Sequence, residues 1–193
     1  DLSIDDYLYL FLNDNDYFTR WDSGQLLMRK IIKARLDNQE NYALEDRFIE
    51  ALKNSIKDLK INDPFFLATL LTIPGFSELE SLFEKVDPIN IYKESLNFQV
   101  SIGFEILQDL RILSNELWLN VNQEWPKGKG ERKLLATIWS YLVLAGDRKE
   151  RINCLDSISN SSMTIAKAAL EALKPIHSSE TEEASNLFYK LWK

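Results

Sequence analysis

"VDPINIYKESLNFQVSIGFEILQDLRILSNELWLN", residues 86–120, is the longest periodic stretch of the chain. Its apolar residues recur at spacings of three and four, as they do on one face of an α-helix. Asp87 opens it as a capping residue, and Pro88 follows at the first helical position, where proline is well tolerated. One stripe consists of Ile89, Tyr92, Leu96, Val100, Leu107, Leu110, Leu113 and Leu117, and a second of Ile91, Phe98, Ile102 and Ile106. The stretch therefore predicts a long helix that is contacted from more than one direction.

The same helical pattern returns along most of the remaining sequence. It predicts about nine or ten helices with short connections, the first at about residues 16–36. Residues 1–12, "DLSIDDYLYLFL", alternate loosely and are rich in Tyr, Phe and Leu, which predicts a strand-like lead-in. The predicted fold is all-α, an irregular right-handed superhelix of stacked helical hairpins of the armadillo or HEAT kind.

Composition limits the classes of function. The 193 residues carry a net charge of −7, which argues against non-specific nucleic-acid binding, because that depends on a basic surface. No apolar run approaches the roughly 20 residues that span a membrane, so we expect no membrane partner. The single cysteine, Cys154, rules out an internal disulfide and fits a reducing compartment. These features predict a cytoplasmic protein.

Residues able to perform chemistry are scarce. His177 is the only histidine, so neither an H-E-x-x-H helix nor a Cys/His metal cluster can form within these residues. It follows Pro175 in a polar stretch and is interpreted as an exposed loop imidazole. Cys154 lies beside apolar neighbours in "RINCLDSI" and is interpreted as a half-buried structural thiol, because no base stands near it in the sequence. We predict no catalytic and no metal-binding residue in this segment.

Several stretches, in the same order along the chain, resemble the zinc-dependent aminopeptidase N metallopeptidases in their bacterial form. "DYFTRWDSGQLL", residues 16–27, resembles the entry into that family's C-terminal helical domain, where Arg-Trp-Asp and a spaced Gln are typical. The later stretches that resemble it are "FLATLLTIPGFSELESLFEKVDPINIY" (66–92), "ERKLLATIWSYLVLAG" (131–146), "SSMTIAKAALEAL" (161–173) and "LFYKLW" (187–192). The resemblance thus covers nearly the whole chain.

The resemblance implies that this chain is one segment of a larger enzyme, which removes N-terminal amino acids from peptides. In that family the zinc motif H-E-x-x-H and the substrate motif G-x-M-E-N belong to another domain, and neither occurs here. Zinc is thus expected in the full-length enzyme only, and this segment is expected to be the helical cap of the active-site cavity. Residues 1–14 would be the end of a preceding β-sandwich domain or a linker, and residues 15–193 the first part of the helical domain. The expected partners are the enzyme's own zinc and β-sandwich domains and its peptide substrates.

The resemblance also implies structural roles for individual residues. Trp21 would lock the first helix against the β-sandwich, with Arg20 and Asp22 as polar contacts beside it. Gln25 and the Asp87–Pro88 helix start belong to the same structural set. An alternative remains open on composition alone, namely a stand-alone helical-repeat module whose concave face binds a peptide or a helix without catalysis.

Overall fold

The structure, a computed structural model, describes residues 2–39, 42–119, 121 and 127–192. Over these residues every regular element is helical, which confirms the all-α class. The elements are α1 Ile4–Asn13, α2 Tyr17–Leu36, α3 Tyr42–Asn62, α4 Pro64–Leu70, α5 Phe76–Glu80, α6 Pro88–Glu105, α7 Leu107–Trp118, α8 Lys129–Leu144, α9 Arg148–Asn160, α10 Met163–Leu173 and α11 Ser179–Leu191, with a 3₁₀ turn at Lys174–Ile176. In the described ranges, no helix is both long and apolar enough to cross a membrane.

The N-terminal segment is a helix, so the strand-like lead-in predicted for residues 1–12 is wrong. Ser3 caps α1, since its hydroxyl accepts the N–H of Asp6 at 3.2 Å and the Asp6 carboxylate accepts the N–H of Ser3 at 2.8 Å. Such reciprocal capping satisfies backbone donors that a helix start otherwise leaves unpaired. Leu8 and Phe11, on one face, are the buried residues of this helix.

The long helix predicted from Pro88 onward is interrupted once. Ile106 leaves the helical conformation, with φ −114° and ψ 20°, and separates α6 from α7. The first predicted stripe is also wrong at its N-terminal end. Its members Ile89, which is 81% exposed, and Tyr92 both lie on the surface. In this half of the stretch the second stripe is the buried one, and Phe98 is among its members.

Two compact units divide the chain, Asp1–Ile102 and Gly103–Lys193. In the first unit, α1 packs against α2 and α3, and α4 packs against the same two helices. Three fully buried rings, Phe11, Phe48 and Phe98, connect α1, α3 and α6, with centroid distances of 5.5 Å and 6.4 Å between successive rings. The core of this unit is therefore partly aromatic.

The second unit is built around α8, α9 and α10, which all contact one another. Helix α7 lies on α8, and α11 covers α9 and α10. The largest fully buried side chains of this unit are Trp139 and Tyr141, both on α8. A Cβ on Gly103 would lie 3.0 Å from the main-chain oxygen of Tyr141, so glycine permits the close approach of the end of α6 to α8.

Candidate functional site

Arg20 lies buried where three helices of the first unit meet. Its Nε donates a hydrogen bond to the main-chain oxygen of Phe11 at 3.0 Å, at the end of α1. Its guanidinium carbon lies 5.4 Å from the ring centroid of Phe66 in α4, and that ring stacks on Tyr17 at 4.0 Å. The guanidinium therefore connects α2 to α1 and to α4, through a hydrogen bond and a cation–π contact.

The other members of the Arg-Trp-Asp and Gln set divide between the core and the surface. Gln25 is buried, and its Nε2 donates to the main-chain oxygen of Thr72 at 2.9 Å, just after α4. Trp21 is half-buried, with its ring 5.7 Å from that of Phe18, which is 66% exposed. Asp22 is exposed and forms no hydrogen bond or ion pair with the described residues. The set is thus split into two buried donors, Arg20 and Gln25, and two more accessible side chains, Trp21 and Asp22.

Asp87 and Pro88 form the start of α6. The Asp87 carboxylate accepts the N–H of Asn90 at 3.1 Å, and its main-chain oxygen accepts the N–H of Ile91 at 3.0 Å. Pro88 is the first residue of the helix, where its missing N–H costs no hydrogen bond. Their geometry is that of a helix start and brings them into no cluster of chemically reactive groups.

A partly buried ion pair in the first unit was not predicted from the sequence. Glu45 accepts two hydrogen bonds from Arg35, at 3.0 Å from Nε and 2.5 Å from Nη2, and a third from Ser101 at 2.8 Å. The Arg35 guanidinium also lies 5.6 Å from the ring centroid of Phe98. A fork-like pair of this kind is among the stronger charged hydrogen bonds in proteins. Arg35 and Glu45 lie on successive helices and Ser101 is distant in the sequence, so no local motif indicates the cluster.

A second polar network lies at the start of α9 in the other unit. Glu150 is 2% exposed, and its Oε2 accepts hydrogen bonds from Trp139 Nε1 at 3.0 Å and from Ser114 Oγ at 3.2 Å. Asp147 caps α9 by accepting the N–H of Glu150 at 3.1 Å, and it accepts a 2.5 Å hydrogen bond from Arg111 Nε. Burial opposes ionisation of Asp147, but Arg111 and these N–H donors outweigh it and hold the pKa of this carboxyl below its ordinary value.

A cavity of about 420 Å³ adjoins this network, between α7 and α9. The polar and aromatic residues that line it are Ser114, Asn115, Trp118, Lys149, Glu150 and Asn153. Lys149 Nζ donates to Asn115 Oδ1 at 3.0 Å on its rim. One sequence signal could have indicated the place: "DRKE", residues 147–150, carries a capping Asp with a Glu three residues later, as helix starts often do.

Cys154 is buried, whereas His177 is exposed. Cys154 is fully buried, where half-burial was expected, because α9 turns it into the core of the second unit. Burial and the nearby charge of Glu150 raise the pKa of its thiol, so it is not disposed to form the thiolate that a nucleophile needs. His177 is exposed and ends the 3₁₀ turn in a left-handed conformation, with φ 47°.

A zinc centre is the metal site that the resemblance implies for the enzyme. Catalytic zinc takes three protein ligands, drawn mostly from His, Cys, Asp and Glu. In the part of the chain that the structure describes, no group of three or more such residues is arranged to hold a metal ion. The described residues therefore do not fit zinc.

The chain is similar to known aminopeptidases. A family model described as a domain of unknown function (DUF3458_C) with ARM repeats matches residues 4–193. Aminopeptidase N of Caulobacter vibrioides is 31% identical over 115 residues, which are 60% of this chain and 13% of that protein. Aminopeptidase N of Escherichia coli K12 is 29% identical over 110 residues, which are 55% of this chain and 12% of that protein. The aligned part of this chain thus spans only about an eighth of these curated relatives.

A solved structure of an aminopeptidase has the same fold over the full length of the chain. It is a crystal structure of Legionella pneumophila aminopeptidase A in complex with aspartic acid, with a TM-score of 0.83 and 22% identity. The match covers 100% of this chain and 24% of that one. Together with the ARM-repeat description of the family, it confirms the predicted class of stacked helical repeat.

Proposed function

The chain belongs to the DUF3458_C family, the ARM-repeat helical domain of the aminopeptidase N enzymes, and from that premise we propose that it is the cap of a cytoplasmic zinc aminopeptidase. The enzyme would remove N-terminal amino acids from peptides. The observation that carries the proposal is coverage. The whole of this chain matches the fold of one part, 24%, of an aminopeptidase A chain. A chain that corresponds to one portion of a larger enzyme is expected to act as a part of that enzyme.

In this proposal the chemistry lies outside the chain. When bound to the zinc domain, the metal would polarise the scissile carbonyl and activate a water molecule. The chain's own contribution is to enclose the cavity, which limits entry to peptides and keeps bulk water from the reaction. Its net charge of −7 would add to a negative potential that attracts positively charged amino termini.

The first unit offers a face for the preceding domain. Phe18 and Trp21 lie side by side on the outer surface of α2, with Phe18 66% exposed. Exposed aromatic residues in contact with each other are typical of interfaces. We place the contact with the β-sandwich domain on this pair. Because residues 4–13 form helix α1, the linker is the interpretation retained for residues 1–14.

Arg20 and Gln25 support a structural role for the Arg-Trp-Asp and Gln set. Both donate to main-chain oxygens of neighbouring segments, Phe11 and Thr72. They would hold α1 and α4 against α2, while the Phe18–Trp21 pair faces the next domain. Such residues affect an enzyme through the shape of its domain, and not through contact with the reacting atoms.

The coding DNA on the 5′ side of the Asp1 codon tests the proposal. We expect it to continue the reading frame and to encode G-x-M-E-N followed by H-E-x-x-H with a later Glu. A start codon directly before Asp1, with neither motif in frame, would overturn the proposal. That result would favour the stand-alone module that binds a peptide or helix.

A further inference from the structure

We propose that the cavity between α7 and α9 binds a small molecule through its primary ammonium group, with Glu150 as the acceptor. The cavity holds about 420 Å³, within the range of roughly 300–1,000 Å³ that is usual for small-molecule sites. Glu150 lines it although the residue as a whole is only 2% exposed. This inference does not rest on the aminopeptidase proposal.

One carboxylate oxygen of Glu150 receives no hydrogen bond from the described residues. Both hydrogen bonds that the side chain accepts, from Trp139 and Ser114, end on Oε2. Oε1 accepts none from the described residues. Glu150 is among the residues that line the cavity, and we infer that its Oε1 is the atom that faces it. The acceptor is therefore fixed in position by Trp139 and Ser114 and still has room for a donor.

Among the residues that the structure describes, no cation forms an ion pair with Glu150, although Lys149 lines the same cavity. Arg111 donates to Asp147, Lys149 donates to Asn115, and Arg151 donates to the main-chain oxygen of Val143. Glu150 stands in the first turn of α9, where the helix dipole favours a negative charge. A carboxylate with so little exposure is costly to keep without a positive partner. A ligand ammonium at Oε1 would supply the missing charge.

The remaining walls indicate what the ammonium is attached to. Trp118, 40% exposed, presents an indole to the cavity and suits a cation with a small apolar substituent. Asn153 adds an amide on α9. Lys149 on the rim could attract a carboxylate of the ligand. The chemistry is common to simple amines and to amino acids, and the presence of a ligand carboxylate distinguishes the two sources.

The test is a titration of the ¹⁵N-labelled chain, followed through the indole N–H signal of Trp139, with alaninamide, alanine and N-acetylalaninamide as probes. We expect the two probes with a free ammonium to shift that signal in a saturable way and N-acetylalaninamide to leave it unchanged. If alanine binds more tightly than alaninamide, the site recognises amino acids. If the two bind equally, the site recognises the ammonium group alone. Glu150→Gln keeps an oxygen for Trp139 but loses the charge, and should weaken binding about tenfold or more.

The matched control is Asp156→Asn, which removes the same charge from an exposed position on α9 and should bind as the wild type does. If Glu150→Gln fails to fold, as judged by its melting curve, Asn153→Arg provides a second variant. Its guanidinium can reach the carboxylate from the same helix and should abolish binding. Absence of a saturable shift in the wild type at millimolar alaninamide, or undiminished binding by a folded Glu150→Gln or Asn153→Arg variant, would overturn the inference.

Discussion

Arg20 Nε donates to the main-chain oxygen of Phe11 over 3.0 Å, at a buried position nine residues back in the chain. This hydrogen bond satisfies a carbonyl near the end of α1 and fixes the turn between α1 and α2. It fastens α1 to α2, although the sequence of α1 had suggested a strand. The first residue of the Arg-Trp-Asp triplet is thereby a connection between helices.

Replacement of Arg20 by Ala should destabilise the chain. The Phe11 carbonyl would stay buried without its donor, which costs about 1–3 kcal/mol, and the contact with the Phe66 ring would be lost too. Urea unfolding followed by circular dichroism measures the difference. Arg47→Ala is the control, because Arg47 pairs with Asp5 on the exposed surface and such pairs contribute little. Equal stability of Arg20→Ala and Arg47→Ala would contradict this account of Arg20.

Gly24 should not tolerate alanine even though it lies within a helix. A Cβ there would lie 2.9 Å from two atoms of the Phe11 ring, which is fully buried and must shift. Overpacking costs about 1–3 kcal/mol, against a gain of up to about 1 kcal/mol in helix propensity, so we expect a net loss of stability. Thermal unfolding checks it. Gly75→Ala is the control, since its Cβ would meet nothing closer than 3.7 Å. A higher melting temperature for Gly24→Ala would show that the ring has free room.

Asp147 should make the stability of the chain depend on pH. Its pKa in the folded state lies below the ordinary value of 3.8, so between the two values the unfolded chain binds more protons than the folded one. The stabilisation by ionised Asp147 is therefore fully present above pH 3.8 and is lost as the pH falls below it. The measurement is the free energy of unfolding of wild type and Asp147→Asn at several pH values. Their difference should shrink towards the acid side, and a difference that grows there would contradict the sign.

In the proposed full-length enzyme, Phe18 should contribute more to stability than its exposure in this chain suggests. If the preceding domain covers it, Phe18→Ser would lose the burial of an aromatic side chain, about 2 kcal/mol, and lower the melting temperature. Surface substitutions without such a partner usually change stability by no more than about 0.5 kcal/mol. Phe104→Ser makes the same change on α6 and serves as the matched control. A melting temperature for Phe18→Ser equal to that of the wild type would remove the proposed docking face.

Helices were predicted correctly where a capping residue stood directly before a run of apolar residues with helical spacing. Asp16 and Asp87 mark the starts of α2 and α6, and both accept main-chain hydrogen bonds there. The prediction failed at α1, because alternating Tyr and Leu suggested a strand and the Ser3–Asp6 pair was overlooked. Local chemistry at the cap was the better guide in each case.

Other features were beyond the reach of local patterns. Ile102, Ile106 and Leu110 are all buried, so the apolar stripe continues through the break at Ile106 and carries no sign of it. The Glu150 network joins side chains from α7, α8 and α9, which only tertiary packing brings together. The same holds for Arg35 and Glu45, although they stand on successive helices. Fold class follows from periodicity, whereas polar clusters depend on how the helices pack.

The most direct test of the central claim compares two proteins side by side, the full-length polypeptide that contains this chain and the 193-residue chain alone. The measurement is the hydrolysis of alanine p-nitroanilide with and without a zinc chelator. We predict hydrolysis by the full-length protein, its loss on chelation and its recovery on addition of zinc, with no activity in the chain alone. A full-length protein that leaves the substrate intact, or a chain that cleaves it unaided, would contradict the account.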